Sequence, residues 1–187
     1  DNARTRRCRS HKSPDRVAEL AGHGAAATLH DMSRLFVAIW PPDAVLDRLA
    51  DFERPKDQGV KWLAQQNLHI TLAFLGEADI DEVVDRLDQT LLPRATATIG
   101  PAIDVRAERS LMLPVSGVDE LAGVVQAATR GVGSPREPRR FLGHLTMARL
   151  ARRARPDRSV GRLFDDRFEV HEVVLIDSTL APTGSIY

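Results

Sequence analysis

The chain has 187 residues, 43% of them hydrophobic and 28% charged, and its formal net charge is zero. These values are typical of a soluble globular protein with one domain, or with two small lobes that share a core. Zero net charge gives no global argument for binding nucleic acid or membranes. A single cysteine, Cys8, excludes an internal disulfide and a cysteine-based zinc site, and no apolar run is long enough to span a bilayer. We therefore expect a cytoplasmic protein.

The first 32 residues differ in composition from the rest of the chain. They are rich in Arg, Ala and Gly and contain almost no aromatic or β-branched residues. Their basic start is not followed by an apolar stretch, so a secretory signal is not predicted. We expect residues 1–32 to be a disordered extension and residues 33–187 to form a single domain.

Strands and helices are mixed along the folded part of the chain. Short β-prone apolar runs predict strands, and apolar residues at helical spacing predict helices. The predicted strands are 34–40, 69–75, 96–105, 110–115, 141–150 and 168–180. The predicted helices are 44–52, 79–92 and 118–130, with a shorter one at 160–165. The predicted loops include a Gly/Pro/Arg-rich segment at 131–140 and a basic segment at 151–159.

Two of the predicted strands contain the same tetrad: histidine, aliphatic residue, threonine, aliphatic residue. One copy starts at His69 and the other at His144, and the chain has only six histidines, so random placement does not account for both. Because side chains alternate along a strand, His69 and Thr71 share one face, as do His144 and Thr146. If the two halves pack with these faces opposed, two histidines and two threonines meet in one cleft.

Such a group of side chains suits phosphodiester chemistry. A neutral imidazole can take a proton from water while a protonated one gives a proton to the leaving oxygen. Threonine hydroxyls can donate hydrogen bonds to the non-bridging oxygens as negative charge develops there. Two alternatives remain open: ordinary β-strands without a catalytic role, and a zinc site. A zinc site usually has a third ligand, and the sequence has no H-x-H, H-E-x-x-H or cysteine pair to supply it.

The sequence around these tetrads resembles the two-histidine phosphoesterases. It is most similar to the RNA 2',3'-cyclic phosphodiesterases, also called the 2'-5' RNA ligase or LigT-like family. RLFVAIWPP at 34–42 looks like the opening strand of that family, and NLHITLAFLGE at 67–77 looks like its first motif. HLTMAR at 144–149 looks like its second motif, and VVLIDSTL at 173–180 is similar to its closing strand. The resemblance covers about residues 33–187.

The resemblance implies a bilobal α+β fold, with two antiparallel sheets related by a pseudo-two-fold axis around a central cleft and the helices outside. It implies hydrolysis of RNA 2',3'-cyclic phosphate ends to 2'-phosphate ends, with no metal and no cofactor. By the family pattern His69 is the proton donor and His144 the proton acceptor, while Thr71 and Thr146 hold the phosphate. The implied partner is RNA with cyclic phosphate ends, tRNA fragments being one candidate, and the protein is expected to be a monomer.

Three other functions fit the same residues. The first is 2'-5' RNA ligation, which reverses a cyclic-phosphate-opening reaction and can use the same two histidines. The second is a non-catalytic RNA-binding module on the same fold. The third is hydrolysis of a small cyclic nucleotide or of a nucleotide-sugar cyclic phosphate. The sequence does not separate these functions.

Several residues outside the tetrads are candidates for supporting roles. An arginine-rich region around the second motif predicts either contact with an RNA backbone or a solvated loop. Within it, strict alternation places Arg149 on the face opposite His144. Gly143 stands where the family usually has a proline-containing loop, which predicts a looser approach to His144. We expect His171 to be structural and Trp40 to pack in the core. The arginines of the region are Arg136, Arg139, Arg140, Arg149, Arg152, Arg153, Arg155, Arg158 and Arg162.

Overall fold

A computed structural model describes residues 8–11, 32–134, 140–181 and 184–186, which form an α+β fold. The α+β class predicted from the sequence is therefore confirmed. The three helices are α1 (Asp43–Asp51), α2 (Ile80–Asp88) and α3 (Asp119–Ala128). The first six strands are β1 (Cys8–His11), β2 (Met32–Ile39), β3 (Gln58–Trp62), β4 (Ile70–Asp79), β5 (Ala95–Ile99) and β6 (Asp104–Arg106). The others are β7 (Ser110–Ser116), β8 (His144–Arg155), β9 (Asp166–Val170), β10 (Val173–Asp177), β11 (Thr179–Ala181) and β12 (Gly184–Ile186).

Most of the strands belong to one curled sheet with the order β1-β10-β2-β4-β8-β7-β5-β9. Strand β3 also pairs with β8 and β6 with β7, while β11 and β12 form a separate two-stranded sheet. The two sheets implied by the family resemblance are thus the halves of one hydrogen-bonded path. They join where β4 meets β8, at the single pair Ile70 and Leu145.

The main core lies between the sheet and the three helices. Each helix buries one apolar side, for example Val83 and Leu87 of α2. The start of α2 is capped by Asp79, whose carboxylate accepts a hydrogen bond of 2.9 Å from the backbone N–H of Glu82. None of the helices in the described ranges combines the length and apolar character needed to cross a membrane.

A second, smaller apolar cluster lies on the other face of the sheet. Phe36 and Ala38 of β2 pair with Ile176 and Val174 of β10, and all four side chains are buried. Trp40 packs against this cluster and against the main core. The part of the sheet formed by β2 and β10 is therefore apolar on both faces. The face of the smaller cluster also carries His69 and Thr71, because Thr71 pairs with Ala38.

The strand of the first tetrad contains a β-bulge immediately after Thr71. Thr71 pairs with Ala38, but the next pair joins Ala73 to Val37, so β4 has one extra residue there. Leu72 and Ala73 are consequently both buried. The bulge returns Phe74 to the face that carries Thr71, where its side chain is 61% exposed.

The strand of the second tetrad has a bulge at the equivalent place. Thr146 pairs with Met112, but the next pair joins Ala148 to Leu111. The two consecutive residues Met147 and Ala148 are both buried. The residue after them, Arg149, therefore lies on the same face as Thr146.

Both bulges are held by hydrogen bonds to the carbonyl of their extra residue. The amide Nε2 of Gln126 on α3 donates to the Leu72 oxygen at 2.8 Å. The backbone N–H of Leu63 donates to the Met147 oxygen at 2.9 Å. Buried backbone groups released from a strand ladder need such partners, and these bonds fix the two bulges in place.

Three predicted elements differ from the structure near the second tetrad. The predicted loop 151–159 is wrong at its start, because β8 continues to Arg155 while pairing with β3. The predicted helix 160–165 is also wrong, because residues 157–161 form a turn. After the turn, Leu163 bridges to Ala102, and the Phe164 N–H donates to the Pro101 oxygen at 2.9 Å. The predicted strand 168–180 is divided into β9, β10 and β11, with a first break at His171.

A short strand precedes the domain. Residues Cys8–His11 pair in parallel with Val173–Ile176 on β10, at the end of the sheet. This differs from the disorder expected for residues 1–32, because an extended segment can add to an edge strand through its backbone alone. Residues 1–7 and 12–31 of the predicted extension lie outside the described residues.

Candidate active site

The four tetrad residues meet at the junction of the two halves of the sheet. Ile70 and Leu145 form the joining pair, and both side chains are fully buried on the core face. Their histidine and threonine neighbours therefore share the opposite face, and all four are half-buried. The antiparallel direction sets His69 beside Thr146 and Thr71 beside His144. The two polar faces are thus adjacent on one sheet, whereas the sequence led us to expect them opposed.

His144 is oriented by the backbone just before it. Its Nδ1 lies 2.8 Å from the carbonyl oxygen of Leu142, and because a carbonyl only accepts, the ring donates from Nδ1. The other nitrogen, Nε2, is then the one available to a substrate. Burial lowers the pKa of His144 below its usual value of 6.5, and the charges of Arg106 and Arg149 lower it further. The Leu142 carbonyl opposes this effect.

His69 is more strongly desolvated because aromatic rings surround it. The ring centroid of Phe36 lies 5.0 Å away and that of Trp40 lies 6.1 Å away. Burial is the largest cause of a pKa of about 4 for His69, compared with the usual 6.5. A hydrogen bond to the Asn67 backbone, two residues before the ring, raises this pKa, while the charges of Arg149 and His144 lower it. The charge of Arg149 thus lowers the pKa of both histidines.

The approach to His144 is tight, because Gly143 lies against β7. The Gly143 carbonyl accepts a hydrogen bond of 2.9 Å from Val115 N–H, and a Cβ at this position would collide with the carbonyl oxygen of Val115. The looser approach that we expected from this glycine is therefore wrong. Its missing side chain lets the segment leading to His144 bond directly to the neighbouring strand.

Arg149 lies on the face of the two tetrads, whereas strict alternation predicted the opposite face. It pairs with Ser110 on one side and Lys61 on the other, on the face of the two tetrads. The bulge reverses the alternation on which our prediction depended. The signal in the sequence was the small residue that follows each tetrad, Ala73 and Ala148, which allows a second consecutive buried position.

The predicted basic region contains arginines that form ion pairs within the domain and exposed arginines that do not. Arg158 forms an ion pair of 2.9 Å with Asp57, and Arg162 is paired with Glu53. Arg136 and Arg139 lie outside the described residues. The exposed members without an ion pair among the described residues are Arg140, Arg149, Arg152, Arg153 and Arg155.

Two further side chains, His171 and Trp62, stand outside the tetrads. His171 is exposed in the connection between β9 and β10. The indole N–H of Trp62 donates to the Pro55 carbonyl at 3.1 Å, which ties it to the domain framework. In the part of the chain that the structure describes, no three His, Cys, Asp or Glu side chains are grouped to hold a metal ion.

Comparisons with known proteins agree with the fold and with the sequence around the first tetrad. The family described as LigT like Phosphoesterase matches residues 39–106. An RNA 2',3'-cyclic phosphodiesterase of Methanocaldococcus jannaschii is 29% identical over 82% of this chain and 96% of its own length. One from Aquifex aeolicus is 30% identical over 68% of this chain and 77% of its own length. The crystal structure of TT0787 of Thermus thermophilus matches with a TM-score of 0.62 and 27% identity, covering 82% of this chain and 93% of that one.

The curled antiparallel sheet with its three helices is thus a phosphoesterase fold. The sequence identity and coverage of the relatives then identify the family within this class of fold. The chain belongs to the LigT-like phosphoesterase family.

Proposed function

We propose that this protein hydrolyses RNA 2',3'-cyclic phosphate ends to 2'-phosphate ends by acid–base catalysis with His69 and His144. The observation that carries the proposal is the junction of β4 and β8. It brings both histidines and both threonines to one face, next to a guanidinium. Two relatives are named RNA 2',3'-cyclic phosphodiesterase, which supports the substrate and the class of reaction. We further propose a cytoplasmic monomer whose substrates include tRNA fragments.

The reaction consists of one in-line displacement at phosphorus. His144 accepts a proton from water through Nε2 while the water oxygen forms a bond to phosphorus. The bond from phosphorus to the 3'-oxygen breaks, and His69 gives its proton to that oxygen. The product keeps the phosphate on the 2'-oxygen. The two imidazoles have exchanged protonation states, and solvent restores them before the next turnover.

The protonation of His69 depends on the substrate. A pKa of about 4 makes its imidazole neutral near pH 7 in the free protein. The anionic cyclic phosphate, bound beside both rings, favours the charged form and raises this pKa. In this proposal the donor role of His69 therefore depends on the rise in pKa that the bound phosphate produces, and not on its pKa in the free protein.

Other side chains on the same face bind the substrate in this proposal. Thr71 and Thr146 donate hydrogen bonds to the non-bridging oxygens, each from a position beside the opposite histidine. Phe74 is exposed on the cleft face, 6.0 Å from the ring of Phe36, and offers a surface on which the terminal base can stack. Stacking of this kind contributes about 1–3 kcal/mol per base.

The proposed function is tested by product analysis. A short RNA with a 2',3'-cyclic phosphate is incubated with the protein in a metal chelator, and the products are separated with 2'-phosphate and 3'-phosphate standards. We expect the 2'-phosphate. Loss of activity in chelator that added zinc restores would contradict the metal-free mechanism. An untouched substrate would favour a binding module, and joined products in the presence of a 5'-hydroxyl RNA would favour ligation.

Arg149→Ala is expected to lower kcat/KM for the cyclic phosphate by roughly 10- to 100-fold, because a charge-assisted hydrogen bond to phosphate is lost. The pKa of His144 should rise in this variant, since the Arg149 charge lowers it in the native protein. Both effects are measured from the pH dependence of kcat/KM. Arg152→Ala removes the same charge from an exposed position further along β8 and serves as the control. Equal losses in the two variants would contradict a specific role for Arg149.

A further inference from the structure

Arg149 belongs to a row of paired residues that crosses four strands. Arg106 of β6 pairs with Ser110 of β7, Ser110 pairs with Arg149 of β8, and Arg149 pairs with Lys61 of β3. Directly paired residues of antiparallel strands point to the same face. The row therefore lies on the face of the tetrads, with buried Ser110 between two arginines.

Arg106 is held in this row by a tight hairpin. The loop that follows it has two consecutive non-glycine residues with positive φ, Ala107 at 48° and Glu108 at 54°. This conformation costs about 1–2 kcal/mol per residue. The loop is docked on β8 by a hydrogen bond of 2.8 Å from Leu150 N–H to the Arg109 carbonyl. A strained turn bonded beside Arg149 fixes the register that places Arg106 opposite Ser110.

Arg106 has no carboxylate within ion-pair distance among the residues that the structure describes. Among the described residues, neither Arg106 nor Arg149 forms an ion pair, whereas Arg48, Arg86, Arg158 and Arg162 each do. Asp104 is on the same face, but its carboxylate accepts a hydrogen bond of 2.7 Å from the adjacent Val105 N–H. Arg106 is half-buried, and its charge reaches the ring of His144. Two guanidiniums without carboxylate partners make this part of the cleft suited to anions.

The position of Arg106 distinguishes its anion from the reacting phosphate. His69 lies on the β4 side of β8, and Arg106 lies on the other side, two strands beyond β8. Strands are spaced about 4.8 Å apart, so the backbones at Arg106 and Arg149 are separated by roughly 10 Å. Arg149 lies on β8 itself, the strand of His144, whereas Arg106 lies at the outer end of the row, where an anionic group beyond the reacting phosphate can reach it.

We propose that Arg106 binds the phosphodiester that precedes the terminal nucleotide, so the preferred substrate is an oligonucleotide instead of a cyclic mononucleotide. The inference rests on the proposed function and specifies its substrate class. It makes Arg106 a specificity-determining residue, because its contact is possible only when the substrate has an internal phosphodiester.

The test compares two substrates that share one reactive end: a nucleoside 2',3'-cyclic phosphate and the dinucleotide ending in the same group. Arg106→Gln should lower kcat/KM for the dinucleotide by roughly 10- to 100-fold. The Arg106 charge also lowers the pKa of His144, so the comparison uses the pH-independent limit of kcat/KM. That limit should stay within about twofold for the mononucleotide, which also shows that the variant is folded. The salt dependence of kcat/KM for the dinucleotide should become shallower, by about 0.7 in log–log slope. Arg167→Gln, at an exposed position of β9, controls for the change in net charge.

Three results would overturn the inference. Equal losses on both substrates would assign Arg106 to the reacting phosphate. No loss on either substrate would make Arg106 a surface residue without a ligand. An equal effect of Arg167→Gln would show a general charge effect. Failure of the native protein to open either substrate would instead contradict the proposed function, so the two failures are distinguishable.

Discussion

His69→Ala and His144→Ala are each expected to lower kcat by roughly 10²–10⁴-fold, the usual contribution of a positioned acid or base. Each variant removes one of the two proton transfers that the displacement needs. The double variant should lose little more than the worse single variant, since groups that act as a unit are not additive. Single-turnover rates with a cyclic-phosphate RNA measure the chemical step directly. His171→Ala, which removes an exposed imidazole between β9 and β10, is the matched control.

The pH dependence separates catalytic from structural effects of these changes. The native protein should give a bell-shaped profile of kcat/KM whose limbs report the free protein. Because both histidines have pKa values below 6.5, the maximum of kcat/KM should lie on the acidic side of that value. The kcat profile should shift to higher pH, since the bound anion raises both pKa values. Unchanged turnover in either alanine variant would contradict the two-histidine mechanism.

Stability is expected to fall by about 2.5 kcal/mol between pH 7 and pH 4.5 through His69 alone. Its pKa is about 4 in the folded protein against the usual 6.5, and each unit of difference corresponds to about 1.4 kcal/mol. The unfolded chain takes up the proton near pH 6.5, whereas the folded protein resists it down to about pH 4. The contribution is thus fully present above pH 6.5 and is lost as the pH falls towards 4.

Urea unfolding of the native protein and of His69→Asn at the two pH values measures this contribution. Asparagine keeps a side-chain N–H for the backbone at Asn67 but carries no titratable group. The native protein should therefore lose about 2.5 kcal/mol more than the variant on acidification. The exposed-site change His171→Asn should not alter the difference. Equal losses in the native protein and His69→Asn would show that His69 is not held in its neutral form.

Much of the site could be predicted because it depends on strand alternation and on repetition. The two tetrads identified four residues, and alternation assigned them to one face of each strand. The way in which the halves join could not be predicted, because one pair between Ile70 and Leu145 replaces the opposed packing that we expected. Pairing between distant strands depends on the whole sheet, and no local pattern specifies it.

The predictions that were wrong near the second tetrad have local physical causes. A bulge adds one residue and reverses alternation, so Arg149 was assigned to the wrong face. The basic segment after it was expected to be a loop because its side chains are polar, yet pairing of Gln58 with Arg155 keeps β8 extended. Arg158 is near these residues in sequence, but its contact with Asp57 depends on tertiary structure. Composition therefore identified a basic region without distinguishing its ion-paired members from the others.

The two bulges also affect the orientation in which a nucleotide can bind between the two histidines. The four tetrad residues form a nearly symmetric set, since each histidine stands beside the threonine of the other half. Such a set does not by itself distinguish the 2'-oxygen from the 3'-oxygen. The symmetry is broken five positions after each histidine, where the bulges present Phe74 on one side and Arg149 on the other. In the proposed reaction this aromatic–cationic polarity, rather than the histidines, selects the bond that breaks.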